Sequence, residues 1–311
     1  MLIKTHQMTQ RTLRSQSRKE PANELDPPVP YQLKQNHTQP IQALSGKLTS
    51  KSTGLSKQDL ATLNLKRSKL RSPSQTSDFI SNLPHESTST ALANAARSTL
   101  VFAQHEAGTA ICIAASGLIL TCSHCVGESL EESAEGNPHW LIFSSGQVVQ
   151  AKCVAWDARR DLALLHIVAA EDLGASSPPA FPFATIARIP PPALRVKQTS
   201  LICIGHPGSE DLEAIESSSP VTSNYDVLHV SYGQYRDRAR GQDVHDNSEI
   251  GALKHDCWTY WGHSGAPLIT AGNGEVIGLH SSWDDQTGMR RGIGWEALDA
   301  FLREWCEEVT L

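Results

Sequence analysis

Between residues 99 and 280 the chain reads as a succession of short apolar or β-prone runs. They fall at 99–103, 109–115, 118–122, 139–143, 147–156, 161–168, 199–204, 226–232, 255–260, 266–270 and 275–280. Gly, Pro, Asn or Ser stands in most of the gaps. Many short runs with turn residues between them predict an antiparallel barrel or sandwich, because each run is long enough for a strand and too short for a helix. Pro178-Pro179 and Pro190-Pro191-Pro192 interrupt the series near its middle and predict a crossover between two halves.

The flanks differ. Residues 1–90 hold 13 Lys/Arg against 6 Asp/Glu, a net of +7, whereas residues 91–311 carry a net of −13. With Tyr31 and Phe79 as its only aromatics, the first segment cannot bury enough apolar surface to offset roughly 1–2 kcal/mol of backbone entropy per residue. It reads as a disordered basic tail whose removal leaves stability nearly unchanged, ahead of one globular unit over 91–311. Leu55, Leu60, Leu63 and Leu70 fall near helical spacing beside Lys66, Arg67, Lys69 and Arg71. That piece reads as a docking helix, an address signal or a solvated charge run, the last being favoured. Ser87–Thr90 before an Ala-rich run predicts a short capped helix over 87–98. From Trp295, the spacing of Leu298, Phe301, Leu302 and Trp305 predicts an amphipathic C-terminal helix over about 296–309.

Composition excludes some classes. No stretch approaches ~20 apolar residues, so no transmembrane segment is expected. The basic tail lacks interleaved aromatics, so no nucleic-acid partner is expected. The N-terminus has no apolar signal-peptide core, and the seven cysteines mostly sit in apolar runs. Reduced thiols and an intracellular site, cytoplasmic or nuclear, follow. The acid-free residues 1–19 are also compatible with a mitochondrial address. Cys122-Ser123-His124-Cys125 has the CxxC spacing of half a metal site or a redox pair, but no second ligand pair accompanies it, so neither metal nor cofactor is expected.

The candidate chemistry centres on Tyr260-Trp261-Gly262-His263-Ser264-Gly265-Ala266-Pro267-Leu268. Flanking glycines let the backbone turn sharply, exposing the Ser264 hydroxyl beside N–H groups aimed at one spot. A serine needs a base, and His124 follows the apolar run Leu118–Thr121. A histidine base needs an acid to hold its tautomer, and Asp161 heads the run Leu162–Leu165. His206, His255 and His280 lie near the same segments and read as supporting or loop residues.

In the order His, Asp, Ser, these segments resemble the trypsin-like (chymotrypsin-fold) serine peptidases, and most the HtrA/Deg-like branch without its PDZ domain. Gly108–Val126, Ala155–Leu165, Cys203–Pro207, Asp256–Leu268 and Val276–Leu279 carry the likeness. The resemblance implies two six-stranded antiparallel β-barrels, at about 99–177 and 193–294, with the site between them. It implies His124, Asp161 and Ser264 as catalytic residues, and the N–H groups of Gly262 and Ser264 as an oxyanion hole. Ser281 matches the strand that pairs with substrate backbone. Trp258, six residues before Ser264, stands where trypsin-like specificity places an Asp. A pocket floored by Trp258 and walled near Gly294 implies a small or apolar P1 residue, with Glu296 nearby. Protein or peptide substrates are implied. The chain departs from the pattern at His263, where Asp or Asn is usual, and that departure keeps open a second reading. There the barrels serve as a catalytically silent peptide-binding module.

Overall fold

The computed structural model describes residues 31–34, 40–44, 47–72, 87–103, 108–129, 132, 138–171, 179–187, 199–208 and 223–308. In chain order these form β1 (Tyr31–Leu33), β2 (Gln42–Ala43), α1 (Ser50–Thr53), α2 (Lys57–Leu70) and α3 (Ser87–Ser98). The strands β3 (Thr99–Phe102), β4 (Thr109–Ala114), β5 (Leu118–Thr121), β6 (His139–Phe143), β7 (Val148–Asp157) and β8 (Leu162–Ala170) follow. The second half holds β9 (Ser200–Gly205), β10 (His229–Arg238), β11 (Leu253–His255), β12 (Pro267–Thr270), β13 (Val276–Trp283) and β14 (Arg290–Gly294). The chain then runs through α4 (Trp295–Trp305) into β15 (Cys306–Glu308).

The strands close two barrels. The first runs β8-β5-β4-β3-β6-β7 and shuts where β7 pairs β8, and the second runs β10-β11-β14-β13-β12-β9. Every pairing within the barrels is antiparallel. Two six-stranded antiparallel barrels with a C-terminal helix are thus the architecture expected from the sequence.

Side chains alternate along each strand, and here both faces are covered. Leu100, Phe102, Ala110, Cys112, Leu141 and Phe143 fill the first barrel. The intervening Val101, Ile111, Ile113 and Ile142 join a cluster with Leu63, Leu92, Ile202, Leu298 and Phe301. That cluster links barrel 1 to α2, α3, barrel 2 and α4, which is why β3, β4 and β5 are buried along their whole length.

Three elements depart from the sequence reading. Parts of the supposed tail belong to the fold. β2 adds to β8 in parallel, and β1 pairs β15. Helix α2 starts at Ser56, whose hydroxyl accepts the Asp59 N–H, and it buries Leu63 and Leu70 completely or nearly so. Four leucines were too few to predict that packing, because the surface receiving them is made by distant strands. The basic run is likewise anchored: Lys66 Nζ donates to the Phe102 carbonyl (2.9 Å), and Arg67 pairs with Glu171 (2.9 Å). Residues 1–30 lie outside the described residues. Second, α4 ends at Trp305, because Cys306–Glu308 extend to pair with Tyr31–Leu33. Third, the 255–260 run is no strand beyond His255, the last residue of the short β11, and β14 was missed because Arg290-Arg291-Gly292-Ile293-Gly294 carries one apolar side chain. Among the described residues no helix is long and apolar enough to cross a membrane.

Candidate active site

β5 delivers His124 to the rim of barrel 1. A single 3-10 turn over Ser123–Cys125 ends the strand, closed by the Cys125 N–H on the Cys122 carbonyl (3.2 Å). Trp156 Nε1 donates to the Ser123 carbonyl (3.1 Å) and ties this turn to β7. Asp161 sits in the tight turn between β7 and β8, in the left-handed region at φ 54°, where an Asp is tolerated more readily than most residues. Its buried carboxylate accepts from Ser123 Oγ (3.0 Å), the His124 N–H (3.3 Å) and His124 Nδ1 (2.8 and 3.0 Å to its two oxygens).

A carboxylate only accepts, so the His124 proton belongs on Nδ1 and the Nε2 lone pair is left to act as a base. Burial opposes the imidazolium but is outweighed by bonding to Asp161 and Cys125, and the His124 pKa is raised. The Asp161 turn is itself supported from barrel 2: Arg159 bonds Asp243 (2.9 Å), and the Asn247 N–H donates to the Arg159 carbonyl (2.8 Å). Sequence reasoning missed this support, which comes from the polar stretch after β10.

Ser264 lies in the turn before β12. Gly262 and Gly265 have φ of 94° and 84°, and neighbouring backbone presses on both. A Cβ on Gly262 would meet the His206 carbonyl oxygen at 2.5 Å, and one on Gly265 would clash with the Thr109 carbonyl oxygen. Thr109, at the start of β4, staples the two barrels at this turn. Its N–H donates to the Ser264 carbonyl (2.7 Å) and its hydroxyl to that of Gly262 (2.8 Å). The Cys125 thiol, next to His124, also faces the Ser264 carbonyl (3.7 Å). The structure therefore brings His124, Asp161 and Ser264 to one place. The Ser264 hydroxyl donates to the Ser281 carbonyl on β13 (3.2 Å), and engaging His124 requires it to leave that bond. The N–H groups of His263, Gly265 and Ala266 are bonded to carbonyls, whereas among the described residues those of Gly262 and Ser264 donate to none.

A trypsin-like peptidase domain model matches residues 108–279, over half of the chain, from β4 into the first half of β13. The chain belongs to the trypsin-like peptidase family. No curated protein sequence matches it. Similar solved structures include Rv3671c from M. tuberculosis H37Rv, a serine-to-alanine mutant in its inactive form, at 18% identity and TM-score 0.48, covering 69% of this chain and 89% of that one. A second is the Rv3671c protease, inactive form, at 18% and 0.48, covering 69% and 92%.

In this trypsin-like peptidase domain, Trp258 packs among Tyr225 (ring centroids 5.0 Å apart), His229 (4.5 Å) and His263 (5.6 Å), parallel to Tyr260. Gly294 is elsewhere. It pairs Gly278, whereas Trp283 and Ser282, beside Ser281, face Arg290 and Arg291 at the other end of β13 and β14. Gly294 borders a separate small cavity with Tyr235, Leu253, Trp295 and Glu296, and Trp258 is not among its walls. Glu296 is paired with Arg238. The pocket floored by Trp258 and walled by Gly294 is therefore corrected: β14 runs away from the site, and Arg290, which reaches the Thr259 carbonyl (3.4 Å), lies nearer to Trp258.

The His263 side chain turns inward and is wholly buried. It belongs to a group of buried histidines in the peptidase's second barrel. Burial, reinforced by His229, pushes the His263 pKa down to about 3. Burial likewise lowers His206 to about 4 and His255 to about 3, and holds His280 well below its usual value. His255 Nε2 and His280 Nδ1 are 3.1 Å apart, and the His280 carbonyl accepts the Gly265 N–H (2.8 Å). All four rings are buried, and none is exposed as a base beside the Ser264 turn.

Proposed function

We propose that the chain is a serine endopeptidase. In this reading Ser264 attacks the scissile carbonyl and His124 Nε2 takes its proton, later returning it to the leaving amine. Asp161 holds the His124 tautomer and stabilises the imidazolium. The N–H groups of Gly262 and Ser264 bind the oxyanion, and loss of one such donor typically costs ~10²–10³ in turnover. The observation that carries the reading is the Asp161–His124 pair, bonded through Nδ1 to both carboxylate oxygens and set beside the Ser264 turn. Ser281, whose carbonyl now holds the hydroxyl, would pair with substrate backbone once the hydroxyl leaves it. The aromatic surface of Trp258, Tyr260 and Tyr225 favours a small or apolar P1 residue on protein or peptide substrates.

The Ser264–Ser281 bond also favours a second reading, in which the barrels grip peptides by strand addition without cleaving them. A fluorophosphonate probe separates the two. The peptidase reading expects one adduct, on Ser264, that disappears in His124→Ala. A folded protein that stays unlabelled between about pH 6 and 9, a range spanning histidine titration, leaves the binding module. On a peptide library, cleavage mainly after Arg or Lys would refute the apolar P1 preference.

A further inference from the structure

The cysteine before the catalytic turn has no part in acyl transfer, yet it points at the same two residues. Cys122 is fully buried at the end of β5, and its thiol donates to the His280 carbonyl (3.5 Å). Ligand atoms of Cys122, His124 and Asp161 all lie within 4.8 Å of one another. The CxxC pair of the sequence is thus not the relevant set, and Asp161, contributed by the distant β7–β8 turn, replaces the second cysteine.

We infer that Cys122 Sγ, His124 Nδ1 and an Asp161 carboxylate oxygen form a site for a thiophilic divalent cation of the Zn²⁺ class, and that filling it reversibly switches the catalytic histidine off. Thiolate, imidazole and carboxylate are the donors such ions take, at about 2.0–2.3 Å in a tetrahedron whose fourth place water can fill. Ligand atoms 4.8 Å apart close onto an ion with side-chain adjustments of about 1 Å, given those bond lengths. Charge also balances, since one thiolate and one carboxylate neutralise the dication. Ser123 Oγ and the His124 N–H, which donate to Asp161, orient that ligand from outside.

The chemistry conserves atoms without any oxidation. The Cys122 S–H proton leaves to solvent as the metal–sulfur bond forms. The imidazole proton leaves Nδ1 for the metal and is re-established on Nε2. An imidazole protonated at Nε2 cannot accept the Ser264 proton, so metal-bound enzyme is inactive while its fold is intact. The switching consequence rests on the peptidase reading, whereas the binding site does not.

Co²⁺ distinguishes the two, because a cobalt–thiolate bond gives a charge-transfer band whether or not the protein is a peptidase. Titration of the full chain with Co²⁺ is expected to saturate at about one ion per chain with that band, as a single specific site requires, and Zn²⁺ is expected to bleach it. Cys122→Ser and Cys122→Ala, each confirmed folded by circular dichroism, are expected to lose the band, and Cys125→Ser to keep it. Zn²⁺ is expected to suppress fluorophosphonate labelling of Ser264 in the parent chain, reversibly on chelation, and not in Cys122→Ser. A band that is missing from the parent chain, or that survives both Cys122 substitutions, overturns the inference. If the band behaves as expected and no chain ever labels, the peptidase reading fails and the metal site stands.

Discussion

Acidification should unfold this protein through its buried histidines. His206, His255, His263 and His280 are 0–2% exposed, and burial depresses the pKa of each. In the unfolded chain each returns to about 6.5. A depressed histidine pKa means that the native state holds the neutral ring, so its stability is intact above about pH 6.5 and is lost as pH falls toward the folded values. Between about pH 7.5 and 5 each site gains a proton on unfolding but almost none when folded, which costs about 2 kcal/mol per histidine at 1.36 kcal/mol per pH unit. His206, His255 and His263 together remove roughly 6 kcal/mol, with His280 acting in the same direction, comparable to the ~5–15 kcal/mol that holds a typical domain. Urea denaturation followed by tryptophan fluorescence at several pH values measures the loss directly. The slope should approach about four protons taken up on unfolding below pH 6, and His255→Gln should lower it by about one. A loss under about 3 kcal/mol over that range would refute the argument, since it would mean that most of these rings protonate within the native fold.

Other outcomes follow from the same geometry. Asp161→Asn keeps the shape of the side chain but offers an amide donor to Nδ1, moving the histidine proton to Nε2. Turnover on a peptide substrate should fall by about 10⁴-fold with a smaller change in KM, and the acid limb of the pH profile should move to lower pH, because the charge that raises the His124 pKa is gone. Leu63→Ala opens a cavity between α2 and barrel 1 and should cost about 2–5 kcal/mol in urea denaturation; no change would mean that α2 does not belong to the folded unit. Gly265→Ala places a Cβ against the Thr109 carbonyl in a left-handed turn, so it should abolish probe labelling of Ser264 and lower stability by at least about 1 kcal/mol.

Much of the architecture was legible along the chain because barrel strands are short, local and separated by turn residues. Ten of the barrel strands fall on runs visible as apolar or β-prone segments, such as Leu118–Thr121 and Leu162–Ala170. β14 was not visible, since Gly292 is set by crowding against the Leu279 carbonyl of β13 and Arg291 by bonds to Gly251 and Gln242. The tail failed for a related reason. Leu63 and Leu70 look like isolated leucines until the outer faces of β3, β4 and β6 provide an apolar surface for them. For the site, residue type and order were enough to propose His124, Asp161 and Ser264 as candidates, because acyl transfer requires a nucleophile, a base and an orienting acid.

Spacing could not reveal how those residues are held. The staple from Thr109 to Ser264 and Gly262, the support of Asp161 by Ser123, and the docking of Asp243 and Asn247 on Arg159 all join segments far apart in the chain. The displacement of Gly294 from Trp258 and the approach of Cys122 to Asp161 are equally nonlocal. Local patterns were enough for ten of the barrel strands, the turn carrying Ser264 and the candidate reactive groups, since these depend on backbone preference and side-chain chemistry within a few residues. Which groups meet is set by barrel closure and register, which bring together atoms whose positions no local pattern encodes.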